Sequence, residues 1–169
     1  MADTQAPDAL TLLKNDHREV EELFSKFDKA KGDGAKQKIS QQICEALVVH
    51  TRIENEIFYP ACEGKVEDAD LKEAYVEHDS AIVLMAEITK GGPDDDFYEA
   101  KVKVLKEEIT HHIKEEEGWF TGIFSQAKRH GLDTDALGVE MAAAKVKYFA
   151  EIEKNGLKFK TITLESTKV

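Results

Sequence analysis

The sequence predicts an all-α fold, an up-down-up-down four-helix bundle with an additional C-terminal helix. Two observations carry this. Glycine and proline are sparse, 10 and 3 in 169 residues, and gather in a few breaks, the clearest being Gly32-Asp33-Gly34, Gly64 to Asp68, Gly91-Gly92-Pro93, Gly131 to Thr134 and Asn155-Gly156. Between the breaks lie long segments without glycine, rich in Ala, Leu, Glu and Lys, all good helix formers, in which apolar residues recur at intervals of three and four. Strand alternation is confined to the tail from Leu157 to Leu164. Composition does not shift within residues 8–154, so residues 1–169 are expected to form a single domain, with the bundle over about 8–130.

Each element follows from its apolar spacing. The first helix is expected over about 8–31, with Leu10, Leu13, Val20, Phe24 and Phe27 on one face. The second, about 35–63, carries Ile39, Ile43, Leu47, Ile57 and Ala61. The third, about 67–90, carries Leu71, Tyr75, Ile82, Met85 and Ile88. The fourth, about 95–129, carries Tyr98, Val102, Leu105, Ile109, Trp119 and Ile123. Short turns join these four, so neighbours should run antiparallel. The last, about 134–154, has Leu137, Met141, Tyr148, Phe149 and Ile152, and is expected to lie on its own bundle or at a contact between copies of the chain.

Composition excludes several function classes. The formal net charge of −11 opposes a phosphate backbone and an anionic membrane surface alike. No apolar run is long enough to span a bilayer, and the start MADTQAPDAL has no basic stretch followed by an apolar core, so no signal peptide is expected and the location is read as cytoplasmic. Cys44 and Cys62 fall in one predicted helix, about 27 Å apart at 1.5 Å per residue, too far for a disulfide. They are expected to be buried, reduced thiols.

Each of the four seams turns polar near its middle, and always at a residue able to bind a metal. His17 falls between Leu13 and Val20, His50 and Glu54 between Leu47 and Ile57, His78 between Tyr75 and Ile82, and His112 and Glu116 between Ile109 and Trp119. The pairs His50/Glu54 and His112/Glu116 are both i, i+4, so each projects from one face. Counted from the turns, His17 and His50 stand at the same height, and so do Glu54 and His78. A start of the fourth helix near Phe97 brings His112 toward the same slice. His111 with Glu115 would be the alternative register, and it puts Trp119 and Phe120 out of step with Ile57 and Phe58. His111, His130, Glu115 and Glu117 are therefore read as surface groups. Two carboxylates buried without partners would cost several kcal/mol each. A bound cation removes that cost. Imidazole with carboxylate suits iron, manganese or zinc, and two bridging carboxylates suit a dinuclear site.

These residues resemble a known family. His17 within Lys14-Asn15-Asp16-His17, His50-Thr51-Arg52-Ile53-Glu54 followed by Asn55 to Pro60, Glu77-His78-Asp79, and His112-Ile113-Lys114-Glu115-Glu116 together look like the hemerythrin-like HHE cation-binding domain, over about residues 8–130. The resemblance implies two Fe ions in an oxo- or hydroxo-bridged di-iron centre. Glu54 and Glu116 would bridge, His17 and His50 would serve one iron, and His78 and His112 the other.

Two departures from the oxygen carriers stand out. Ile82 occupies the position where they have a further His, and Glu116 stands one residue before their Asp. Both irons would then have an open position, for which Tyr75 and Tyr59 are the candidates, the latter turned inward by a distortion at Pro60. Ile53, Ile82, Ile109 and Ile113 would exclude water. The function so implied is binding of O2, or reaction with small oxidants (O2, peroxide or NO), with iron storage or sensing as the alternative. A small-molecule ligand is the expected partner, with a redox partner or a second copy of the chain besides; nucleic acid and membrane are not.

Overall fold

The computed structural model describes residues 6–159, and every regular element among them is helical. Helix α1 (Ala9–Lys29) starts at Asp8, whose Oδ1 accepts from the backbone N–H of Leu10 at 3.0 Å and of Thr11 at 3.1 Å. Gly32, at φ 87°, turns the chain into α2 (Asp33–Ile53). A π-helical turn (Glu54–Phe58) and the short α3 (Tyr59–Cys62) continue it. Helix α4 (Asp68–Gly91) leads through a 3-10 turn (Gly92–Asp94) to α5 (Tyr98–Glu117). Helices α6 (Ile123–Arg129) and α7 (Thr134–Asn155) follow.

Helices α1 and α2 pack as one antiparallel pair and α4 and α5 as another, with α2 also against α4 and α1 against α5. The apolar interior is in two parts. One gathers Leu12, Leu13, Ile53, Phe58, Phe124 and Met141. The other gathers Val20, Phe24, Ile43, Leu47, Met85 and Leu105. Leu13, Ile53, Met85 and Leu105 are fully buried, each stabilising by roughly 1.5–3 kcal/mol. Along α1 the first cluster ends at Leu13 and the second begins at Val20; along α2 the order is Leu47 then Ile53. A polar layer lies between the two apolar ends, where His17 and His50 sit.

Three expectations need correction. The segment expected as one helix over about 95–129 is two, because Gly118 leaves helical geometry at ψ 127°. The turn is so tight that a Cβ on Gly122 would stand 2.4 Å from Gly118 N and 2.6 Å from Glu116 O. Trp119 and Phe120 are therefore on the turn, 95% and 67% exposed, and hold no seam position; Ile123, Phe124 and Ala127 fill the core instead. The second helix is not uniform either, since it widens into the π turn at Glu54. In the tail, Leu157 to Phe159 form no strand, and Lys160 to Leu164 lie outside the described residues.

The start of α5 at Tyr98 is the late start that the height argument requires. Helix α7 packs on α1, α2 and the π turn, so it lies on its own bundle. No helix among the described residues is long and apolar enough to cross a membrane.

Candidate metal centre

All six predicted residues meet in the polar layer, and all are buried: Glu54 and Glu116 fully, His50 the most exposed at 6%. The four histidines form two pairs. His17 Nε2 lies 3.2 Å from His50 Nε2, and His78 Nε2 lies 3.1 Å from His112 Nε2. The carboxylates tie the pairs together. Glu54 Oε2 is 3.1 Å from His50 Nε2 and 3.2 Å from His78 Nε2. Glu116 Oε2 is 3.2 Å from His17 Nε2 and 3.5 Å from His112 Nε2. The ligand atoms of His17, His50, Glu54 and Glu116 lie within 4.8 Å of one another, and so do those of Glu54, His78 and His112. His111 points outward with its side chain 63% exposed, so His112 with Glu116 is the inward register.

The outer nitrogens complete the picture. His17 Nδ1 is 2.7 Å from Glu117 Oε1, His78 Nδ1 is 2.7 Å from Asn55 Oδ1, and His112 Nδ1 is 2.6 Å from Glu77 Oε2. His50 Nδ1 faces Asp16 Oδ2 more loosely, at 3.5 Å. Each partner is the sequence neighbour of another helix's candidate ligand. Asp16 on α1 serves α2, Asn55 after α2 serves α4, Glu77 on α4 serves α5, and Glu117 on α5 serves α1, so the support closes into a ring. In the neutral rings of His17, His78 and His112 the acceptor on Nδ1 places the proton there and leaves the Nε2 lone pair facing inward. Two lone pairs 3.1 Å apart cannot bond each other.

Glu54 Oε1, Glu116 Oε2 and His50 Nδ1 are buried with no hydrogen bond. Convergent lone pairs and orphaned carboxylate oxygens are what a cation would satisfy, so the donor set fits a metal. Electrostatics agree. Burial opposes charge on His50, yet Glu54 and Asp16 raise its pKa to about 10. His112 is raised against burial to about 9 by Glu116 and Glu77. Burial pushes His78 down, and Glu54 is held well below the carboxylate range, against its burial, by His50 and His78. Without a cation, protonation of His50 and His112 takes up their inward lone pairs and offsets the charge of the carboxylates beside them.

Tyr59 is the inward tyrosine. Pro60 has no N–H to continue the helix, and its ring would clash with the carbonyl of Glu56. The chain widens there, and Tyr59 N–H bonds to Glu54 O, five residues back. The fully buried Tyr59 hydroxyl donates to Glu116 Oε1 at 2.8 Å and lies 3.4 Å from both His78 and His112 Nε2. Tyr75 does not reach the centre; it packs edge-on against Tyr59, ring centroids 5.2 Å apart.

Sequence reasoning missed the ring of supports and misread Glu117 as a solvated surface charge, whereas its side chain is 23% exposed and bonded to His17. The usable signal was adjacency, since each support stands next to a ligand. Beside the histidines lies a small cavity of about 20 Å³, room for one water-sized molecule, with Val20, Leu47, Ile109 and Ile113 as its apolar wall. Ile82 is not on that wall; it lines a separate groove with Arg52 and Phe159.

The model of the hemerythrin HHE cation binding domain matches residues 8–123. The chain belongs to the hemerythrin HHE family. A solved HHE domain-containing protein from Mycobacterium kansasii shares the fold, with a TM-score of 0.74 at 22% identity over 89% of this chain and 95% of that one. A curated relative from Nostoc sp., named a DNA nickase, is 26% identical over 149 residues, 86% of this chain. This HHE chain spans 41% of that relative's length.

Proposed function

We propose that this HHE protein holds two iron ions through His17, His50, Glu54, His78, His112 and Glu116 and binds or reduces a small oxidant, O2, peroxide or NO. The observation that carries the reading is the convergence of four Nε2 atoms, three of them oriented by hydrogen bonds at Nδ1, on two carboxylates that each keep a buried oxygen without a hydrogen bond. His17 and His50 would hold one ion and His78 and His112 the other. Each carboxylate lies against one histidine of each pair, as a bridge requires. Iron so held would supply one-electron redox chemistry to the bound oxidant.

The chain's own residues set the conditions. Val20, Leu47, Ile109 and Ile113 keep bulk water from one side of the histidines and leave space fit for a diatomic molecule. Tyr59 holds a proton on its hydroxyl, aimed at Glu116 Oε1, and we assign it as an additional oxygen ligand candidate. The net charge of −11 opposes a nucleic-acid backbone, which keeps nicking outside the proposal.

The test is metal content per chain with an optical spectrum on the same sample, followed by titration of the reduced protein with O2, NO and peroxide. Two irons that oxidise rapidly support the reading. Iron that exchanges under mild chelation and does not react would move the protein to storage or sensing. Metal well below one per folded chain would refute a metal centre.

A further inference from the structure

A second opening reaches the centre from the other side, and its chemistry differs. It is a cavity of about 190 Å³ walled by Asp70, Glu73, Glu77 and Glu115, with His112 and Glu116 at its inner end. No Lys or Arg is among its lining residues. Two of its wall residues, Glu77 and Glu115, also group with the exposed His111 just outside the lining, their ligand atoms within 4.8 Å of one another. His111 Nε2 is 3.0 Å from Glu115 Oε1 and 3.9 Å from Glu77 Oε1. At the inner end, Glu116 is fully buried, and its Oε2, without a hydrogen bond, lies 3.2 Å from His17 Nε2 in the centre. Glu77 joins the two levels: Oε1 faces His111 and Oε2 bonds His112 Nδ1 at 2.6 Å.

We propose that this funnel is the route by which divalent cations load the centre, and that Glu77, His111 and Glu115 form a transit site for a hydrated divalent metal ion. The proposal rests on the metal-centre reading. A cation drawn by the acidic wall sheds water onto one imidazole and two carboxylates at the rim. It then passes inward along Glu116, whose Oε2 faces the histidines of the centre. Three ligands, two of them exposed, hold a cation weakly enough to release it. The two openings thus divide by chemistry, since the apolar cavity beside Ile109 and Ile113 suits a neutral gas and the acidic one a cation.

The experiment is stopped-flow uptake of Co2+ by metal-free protein, read from the visible bands of the bound ion, for wild type, His111→Ala/Glu115→Gln and a charge control, Glu22→Gln, on the exposed face of α1. The double variant should load about tenfold more slowly than wild type, the scale of electrostatic steering, with the same final stoichiometry and the same thermal unfolding. Glu22→Gln should load at the wild-type rate. Equal rates for wild type and double variant, with full loading of both, would overturn the port and leave the centre standing. Equal slowing by Glu22→Gln would reduce the effect to net charge and also overturn it. No uptake by wild type would refute the centre itself and the port with it.

Discussion

His111 and His112 are adjacent and chemically identical, yet their surroundings give them different work. His112 is 3% exposed with both ring nitrogens engaged in the polar layer, and His111 faces solvent beside Glu115. His112→Ala or Glu116→Ala should lower metal content and thermal stability together; metal at 100 times its Kd stabilises by about 2.7 kcal/mol, which these variants would forfeit. His111→Ala should change neither at equilibrium, and equal effects at the two positions, measured by elemental analysis and calorimetry, would show the register to be wrong. Asn55→Ala frees His78 Nδ1 and should weaken metal affinity roughly 10–100-fold without removing a ligand. Tyr59→Phe should leave the metal content unchanged. If Tyr59 ligates, it will also remove a visible charge-transfer band that wild type shows.

At the scale of elements, the π turn and α7 do the positioning. The π turn places Tyr59 beneath Glu54, which regular helix would not do. Helix α7 seats on the start of α1 through Gly138, where a Cβ would stand 2.2 Å from Pro7 O and 2.8 Å from Ala9 N. Gly138→Ala must therefore push α7 away, at about 1–3 kcal/mol. For a chain of this length that is a fall in Tm of roughly 2–4 °C per kcal/mol, readable by thermal unfolding. Helix α7 also touches the centre's surroundings. Lys145 bonds Asp16, the residue facing His50, and Tyr148 donates to Glu56 at 2.5 Å while Arg52 stacks on its ring.

Across the whole molecule, protons and metal compete for one layer. In the metal-free protein His50 and His112 have pKa values of about 10 and about 9, above the ordinary 6.5. Raised folded values contribute stability that is complete below about pH 6.5 and is lost as pH climbs through 9 and 10. Metal binding runs the opposite way, since the ligands must be deprotonated. The Tm of the metal-free protein should therefore fall from pH 7 to pH 10, while the gap between loaded and metal-free protein widens. A gap that narrows with rising pH would contradict this account. Away from the centre, burial pushes the Cys44 and Cys62 thiols up to about 12. Neither should react with a thiol reagent at pH 8 until the chain unfolds.

The helical class, the four seams and the six residues at their polar breaks were legible in the sequence alone, because period and i, i+4 spacing are local properties that one face of a helix transmits directly. The break at Gly118 and the exposure of Trp119 and Phe120 were not, since only the close approach of Gly122 to Gly118 shows why the helix stops. Local spacing placed Glu117 at the surface, and the fold turned it to His17 on a helix 100 residues earlier in the chain. The supporting ring and the two openings depend on which helices become neighbours. That choice is made by burying the seams together, so it belongs to the tertiary structure.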